Sequence, residues 1–302
     1  MLNFFYYGAI LIILNCWEKA MFCDRIDLYQ YFNIPRPKYA KGYLDLYVKN
    51  LDAQMNKKDP DLFIRKRPAM LIIPGGGYTH VSGREGEPVA VAYMELGFHA
   101  FVLDYSVAPV TYPAQLLEAS MAMLYIRKNA KKFNIDTKHV CAVGFSAGGH
   151  LCGMLATMYG DKVVSDVLNV KADILRPDAV ILSYPVISSG EYAHRGSFVS
   201  LSGGDSELAD SLSLEFKVTK DTPPAFIWST DEDSTVPCEN SLLMALAYRK
   251  AGVPMELHVF EPGKHGLSTC GNEVYTTEPT VRAWVGLSKT WLKNRGFEVR
   301  GF

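Results

Sequence analysis

Apolar positions along the chain follow two alternating rhythms. The first is a series of short runs: "YLDLYV" (43–48), "AMLII" (69–73), "FHAFVLDY" (98–105), "HVCAVGF" (139–145), "AVILSY" (179–184), "AFIWST" (225–230) and "MELHVF" (255–260). These runs favour β-branched and aromatic residues, which suit a pleated surface. Several lack the apolar–polar alternation of a strand with one wet face, so they read as strands covered on both sides. Between them the period changes. Leu117, Met121, Leu124 and Tyr125 recur at helical spacing after Pro113, and Leu242, Leu243, Leu246 and Ala247 do so before Gly252 and Pro254. Both segments predict amphipathic helices. A last helix has Thr277 as N-cap, Pro279 in its first turn, a stripe of Val281, Trp284, Val285, Trp291 and Leu292, and Gly296 as its stop. Its tryptophans read as core. Strands alternating with helices after about residue 40 predict an α/β fold, with a mostly parallel central sheet and helices on both faces.

Two stretches break the pattern. Residues 186–221 are rich in Ser and Gly between two strands, and so long a connection predicts a partial lid or pocket wall, with a plain surface insertion as the rival. At the N-terminus, "FFYYGAILIIL" (4–14) is long enough for a signal-peptide core and short for a membrane span. No Lys or Arg precedes it, no small-x-small cleavage site follows, and Met21 stands just before the polar stretch "FCDRIDLYQYF". The segment reads as a targeting sequence or a misassigned start. We therefore expect residues 1–20 to lie outside the fold and residues 21–302 to form a single α/β domain. The weak export flanks give a cytoplasmic expectation, with secretion or anchoring through residues 1–20 as the alternative.

Composition narrows the partners. A chain of 302 residues with 48% hydrophobic content can build one large core. With 31 basic and 32 acidic residues the formal charge is −1, which leaves no electrostatic footprint for nucleic acid or an anionic membrane. A small neutral or mildly polar partner fits better than either. The six cysteines, Cys16, Cys23, Cys141, Cys152, Cys238 and Cys270, form no CxxC pair and no Cys/His zinc spacing, so we read them as reduced and set disulfide-scaffold and metal readings aside.

The chemistry concentrates around "GFSAG" (144–148), which follows a strand and opens a small-residue helix. In that context G-x-S-x-G is a nucleophile elbow: the sharp turn strains the serine backbone, and glycines two positions either side avoid collision. Ser146 is then the candidate nucleophile, and Ala147 supplies a backbone N–H near a helix N-terminus, where an oxyanion is favoured. A serine hydroxyl needs a base, and the base needs an orienting carboxylate. The chain order on such a sheet is Ser, then Asp or Glu, then His. "STDEDSTVP" (229–237) follows one strand and "FEPGKHGLS" (260–268) the next, which offers Asp233, with Asp231 and Glu232 as rivals, and His265. Among the other histidines, His99, His139 and His258 belong to strands and His150 to the helix behind the elbow, while His80 and His194 remain alternatives. "IIPGGGYTHVSG" (72–83) has no GK[ST] to make it a phosphate loop. Beside the elbow it reads as an oxyanion loop.

Together "PGGGY", "REGEPVA" (84–90), "DYSVAP" (104–109), "GFSAGGH" (144–150), "DEDSTVP" (231–237) and "KHGL" (264–267) resemble the esterases of the α/β-hydrolase fold, in particular the acetyl xylan esterase and feruloyl esterase-like branch near the hormone-sensitive lipase group. The resemblance spans about residues 40–296 in motif order. It implies Ser146 as nucleophile, His265 as general acid/base, Asp233 as its partner, and the N–H groups of Gly76, Gly77 and Ala147 as oxyanion donors. Pro74 stands where lipase-like relatives often carry His, which favours the carbohydrate-esterase branch. The implied activity is serine carboxylic ester hydrolysis through an acyl-enzyme on a small-molecule or oligosaccharide ester, most of all deacetylation of xylan-type saccharides, with no metal and no organic cofactor required. A peptidase or amidase with the same triad, and a non-catalytic ligand-binding protein on the same fold, are the alternatives.

Overall fold

Each apolar run becomes a strand. The computed structural model describes residues 21–49 and 66–298; the expectations for residues 1–20 fall outside the described residues. Among the described residues eight strands form one sheet: β1 (Met21–Asp27), β2 (Tyr43–Lys49), β3 (Arg67–Ile73), β4 (His99–Asp104), β5 (Ile135–Phe145), β6 (Ala179–Ser183), β7 (Ala225–Thr230) and β8 (Met255–Phe260). Their spatial order is β1-β2-β4-β3-β5-β6-β7-β8. Pairings from β4 to β8 are parallel, and β2 runs antiparallel to both β1 and β4. The central strands β3 and β7 are buried almost throughout, as doubly covered strands should be. By contrast β2 buries only alternate residues, Leu44, Leu46 and Val48, and β8, at the sheet's edge, is half-exposed along its length.

The helices are α1 (Leu28–Phe32), α2 (Glu87–Glu95), α3 (Ala114–Lys128), α4 (Ala130–Phe133), α5 (Ala147–Thr157), α6 (Lys162–Leu168), α7 (Arg195–Ser202), α8 (Ser206–Ser211), α9 (Glu239–Ala251) and α10 (Pro279–Lys293). They divide the apolar core into two layers, one on each face of the sheet. One layer takes Leu124 and Ile126 of α3, Leu151 and Met154 of α5 and Met244 of α9. The other takes Val89 and Tyr93 of α2 with Val281, Trp284 and Trp291 of α10. Trp284 stacks on Trp228 of β7 with ring centroids 4.9 Å apart, so the tryptophan stripe is core.

The polar segment after Met21, for which no element was expected, is strand β1 followed by α1. Three readings need correction. Residues 186–221 contain α7, α8 and a 3-10 turn at Leu214–Phe216 rather than an irregular loop. On α9 the apolar stripe is rotated: Leu242 and Leu246 are exposed, and Asn240, Met244, Ala247 and Tyr248 carry the buried face. Glu278, not Thr277, occupies the N-cap of α10, and its side chain caps nothing.

Sheet order places the site. The chain leaves β3 for β4 on one side and then returns past β3 to β5 on the other, so a crevice opens beyond the carboxyl ends of β3 and β5. The glycine loop leaves one of these strands and Ser146 the other.

Candidate active site

Ser146 follows β5 at φ 54° and ψ −121°, a left-handed backbone that a non-glycine residue adopts only under constraint. Its N–H donates to Ser183 O (3.0 Å), and its carbonyl accepts from Val186 N and His150 N (3.1 Å each). The flanking glycines are obligatory by volume. A Cβ on Gly144 would lie 2.2 Å from Gly148 O, and one on Gly148 would lie 2.2 Å from both Ile73 O and Pro74 O.

Asp233 leaves the turn after β7 and His265 the loop after β8. His265 Nδ1 stands 2.6 Å from Asp233 Oδ2, and its Nε2 stands 2.7 Å from Ser146 Oγ. An ionised carboxylate only accepts, so it fixes the ring proton on Nδ1 and leaves Nε2 free to accept from the serine hydroxyl. Asp233 is 3% exposed. Its second oxygen accepts from Thr235 N and Val236 N, 2.9 Å each. The rivals separate cleanly: Asp231 is exposed, and Glu232 accepts from Gly263 N (3.0 Å), steadying the loop that carries His265.

The glycine loop is tied down at nearly every residue. Tyr105 Oη donates to Pro74 O (2.8 Å), Gly75 N donates to Glu85 Oε2 (2.7 Å), and Ser82 N donates to Gly75 O (3.0 Å). Gly76 and Gly77 have φ of 128° and 62°, and a Cβ on Gly76 would lie 2.1 Å from His80 O, so glycine is required at that turn. Among the described residues the N–H groups of Gly76, Gly77 and Ala147 have no acceptor. Tyr78, with φ 58°, closes the loop: its hydroxyl meets His150 Nδ1 at 2.9 Å, and His150 Nε2 meets Leu212 O, also at 2.9 Å. The Leu212 carbonyl can only accept, so the proton sits on Nε2 and Tyr78 donates to Nδ1. Burial lowers the His150 pKa to about 4, which keeps this ring neutral.

The remaining strand histidines have local partners: His139 meets Asp136 and His258 meets Glu256, while His99 Nδ1 accepts from Lys49 N (3.3 Å). His80 is exposed beside Thr79. His194, by contrast, borders the glycine loop.

Glu85 is the main residue that sequence reasoning passed over, although it lies within "REGEPVA". It is 4% exposed. Besides Gly75 N, it accepts from the hydroxyl of Tyr184 (2.7 Å), which in turn accepts from Ser268 N (2.9 Å). The Tyr184 ring meets His265 edge-on, centroids 5.0 Å apart. Neighbouring Arg84 donates to Gly266 O and Val274 O, and Ser268 Oγ donates to Arg84 O. The turn at Gly83–Glu85 thus fastens the glycine loop and the His265 loop to one another. Only the fold makes that visible, since nearly all these contacts cross from one sheet edge loop to another.

Among the described residues no group of three His, Cys, Asp or Glu side chains is placed to hold a metal ion, and no helix is long and apolar enough to cross a membrane.

Comparison with known proteins agrees with this geometry. Residues 52–248 match the BD-FAE family model. The chain is 43% identical over 253 residues to an endo-1,4-beta-xylanase B of Butyrivibrio fibrisolvens, covering 78% of this chain and 39% of that protein. It is 32% identical over 206 residues to an acetylxylan esterase of Xylanibacter ruminicola, covering 66% of this chain and 40% of that protein. The chain spans about two fifths of the length of these curated relatives. The crystal structure of an acetyl ester-xyloside bifunctional hydrolase from Caldicellulosiruptor lactoaceticus superposes with a TM-score of 0.77 at 38% identity, covering 91% of this chain and 97% of that one. With a switch-point crevice, a strained serine on its elbow and a family match across most of the sheet, the chain belongs to the BD-FAE family and has the α/β-hydrolase fold.

Proposed function

We propose that the chain is a carboxylic ester hydrolase that works through an acyl-enzyme on Ser146 and removes short acyl groups, acetate foremost, from xylan-type saccharides. The observation that carries the reaction is the unbroken line Asp233–His265–Ser146, with its two contacts of 2.6 and 2.7 Å. His265 Nε2 takes the Ser146 proton as Oγ attacks the ester carbonyl, and the imidazolium is stabilised by Asp233. The carbonyl oxygen gains negative charge and accepts from the Gly76, Gly77 and Ala147 amides, each such donor contributing about 3–4 kcal/mol. His265 then protonates the departing alcohol. A water, deprotonated by the same imidazole, attacks the acyl-enzyme and regenerates Ser146.

The substrate half of the proposal is supported by the names of two relatives, an acetylxylan esterase and an acetyl ester-xyloside hydrolase. The relative named as a xylanase is matched over only 39% of its length. Glycosidic cleavage canonically needs two carboxylates flanking the bond, whereas the reacting group here is a serine hydroxyl. Ser146→Ala should lower kcat on phenyl acetate by about 10⁴ or more, because triad members act as a unit. Near-wild-type turnover with the fold intact would refute the mechanism. In the same assay, matched esters and amides, with acyl chains of graded length, should favour short esters; preference for an anilide or a long fatty ester would move the substrate assignment.

A further inference from the structure

His194 borders the site, and among the described residues its Nε2 has no partner. It stands at the N-cap of α7, half-buried. A Cβ placed on Gly77 would lie 3.9 Å from His194 Cε1 and 3.9 Å from Ser197 Oγ, so the ring flanks the glycine loop. His265 and Asp233 are close enough for their charges to bear on its ionisation. Its proton can be located. Nδ1 receives the backbone N–H of Ser197 at 3.3 Å, and a backbone N–H can only donate. Ser197 Oγ lies 2.8 Å from the same nitrogen. Burial, reinforced by His265, holds the ring below the usual imidazole pKa, against the opposing pull of Asp233. The ring is therefore neutral near pH 7, with its hydrogen on Nε2, and among the described residues nothing accepts from that hydrogen.

The geometry points to His194 Nε2–H as a fixed donor to an oxygen in the alcohol half of the substrate, a hydroxyl or ring oxygen of a saccharide. This assignment rests on the short-acyl ester reading above. An acetyl group offers one acceptor, the carbonyl oxygen, to which the loop and elbow amides donate. Its methyl offers none. A donor beside the glycine loop therefore finds a further partner only if the alcohol half carries oxygens beyond the ester itself, as a sugar does and a simple phenol or alkanol does not. A site that provides a hydrogen bond discriminates against an analogue lacking the partner, because the donor then goes unpaired.

The test compares acetylated xylobiose with phenyl acetate in wild type, His194→Phe and His194→Gln. Phe keeps a flat ring without the donor, and Gln restores an N–H at similar reach. We expect His194→Phe to lose about tenfold in kcat/KM on acetylated xylobiose, chiefly through KM, and to stay within about twofold on phenyl acetate, the worth of one neutral hydrogen bond. His194→Gln should recover most of the loss. Equal losses on both substrates would overturn the assignment in favour of a structural role at the α7 cap. No loss on either would overturn it outright. Should His194→Phe fail to fold, the ratio of the two substrates in His194→Gln and His194→Asn replaces it: a ratio insensitive to the reach of the donor would overturn the assignment. Wild type that hydrolyses phenyl acetate but not acetylated xylobiose would overturn the saccharide reading, and this donor role with it.

Discussion

Glu85 concentrates in one side chain the problem of keeping two loops in register. Its carboxylate receives Gly75 N at 2.7 Å and Tyr184 Oη at 2.7 Å, and the residue is buried. Removing it leaves two buried donors without acceptors, which costs about 1–3 kcal/mol for each group. The catalytic consequence is specific to position, since the displaced atoms belong to the proposed oxyanion loop and to the tyrosine that packs edge-on against His265. Glu85→Leu should therefore lower kcat on phenyl acetate by about 10² with KM changed much less, because small misplacements at such a site cost that much. Thermal unfolding should also shift down. Glu85→Gln keeps one acceptor and should lie between. Equal kcat in wild type and Glu85→Leu would show that the loops hold their geometry without the bridge.

At the scale of elements, the sequence was most legible where burial is symmetrical. The runs at 69–73, 179–184 and 225–230 are apolar on both faces because helices cover both faces, so composition alone located β3, β6 and β7. Strand β1 escaped because "MFCDRID" is polar. It is an edge strand held by its antiparallel ladder to β2 and by the Arg25–Asp45 ion pair (2.6 Å), and neither is a local property. Helices α7 and α8 escaped for a related reason. They are short and Ser-rich, and they start from side-chain caps, His194 to Ser197 N and Asp205 to Leu208 N. The segment that bears them is pinned rather than loose: Leu212 O receives His150, and Asn240 Oδ1 receives Ile187 N and Ser188 N at 3.0 and 3.1 Å. Those bonds tie the segment to α5 and α9. On α9 the leucines misled, because Met244 and Tyr248 fill the core while Leu242 and Leu246 face outward. Within the site, Ser146, Asp233 and His265 were readable because each follows a recognisable strand in the order the fold imposes. Glu85, Tyr184 and the role of His194 were not, since each depends on which loops meet in space.

Across the whole molecule, pH acts on stability through buried groups away from the site. Glu118 receives Ser106 N, Ser106 Oγ and Tyr29 Oη, yet burial outweighs these bonds and raises its pKa to about 7 from 4.5. The folded state then holds a proton that the unfolded chain releases between pH 4.5 and 7, so this group's contribution is full below pH 4.5 and is lost as pH rises through 7, on the order of 3 kcal/mol. His99 and His150 pull the other way. Burial lowers each to about 4, so their contribution is present above pH 6.5 and is lost as pH falls through 4. In urea unfolding, Glu118→Gln should gain on wild type progressively from pH 4.5 to 7; a difference independent of pH would contradict the burial of a proton there. The claim on which everything else depends is that the acyl group passes through Ser146. Rapid-quench mass spectrometry during phenyl acetate turnover tests it directly: the account predicts an acetyl adduct on the peptide containing Ser146, formed within the first turnover and absent from Ser146→Ala. Full-rate turnover with no adduct on that peptide would contradict it.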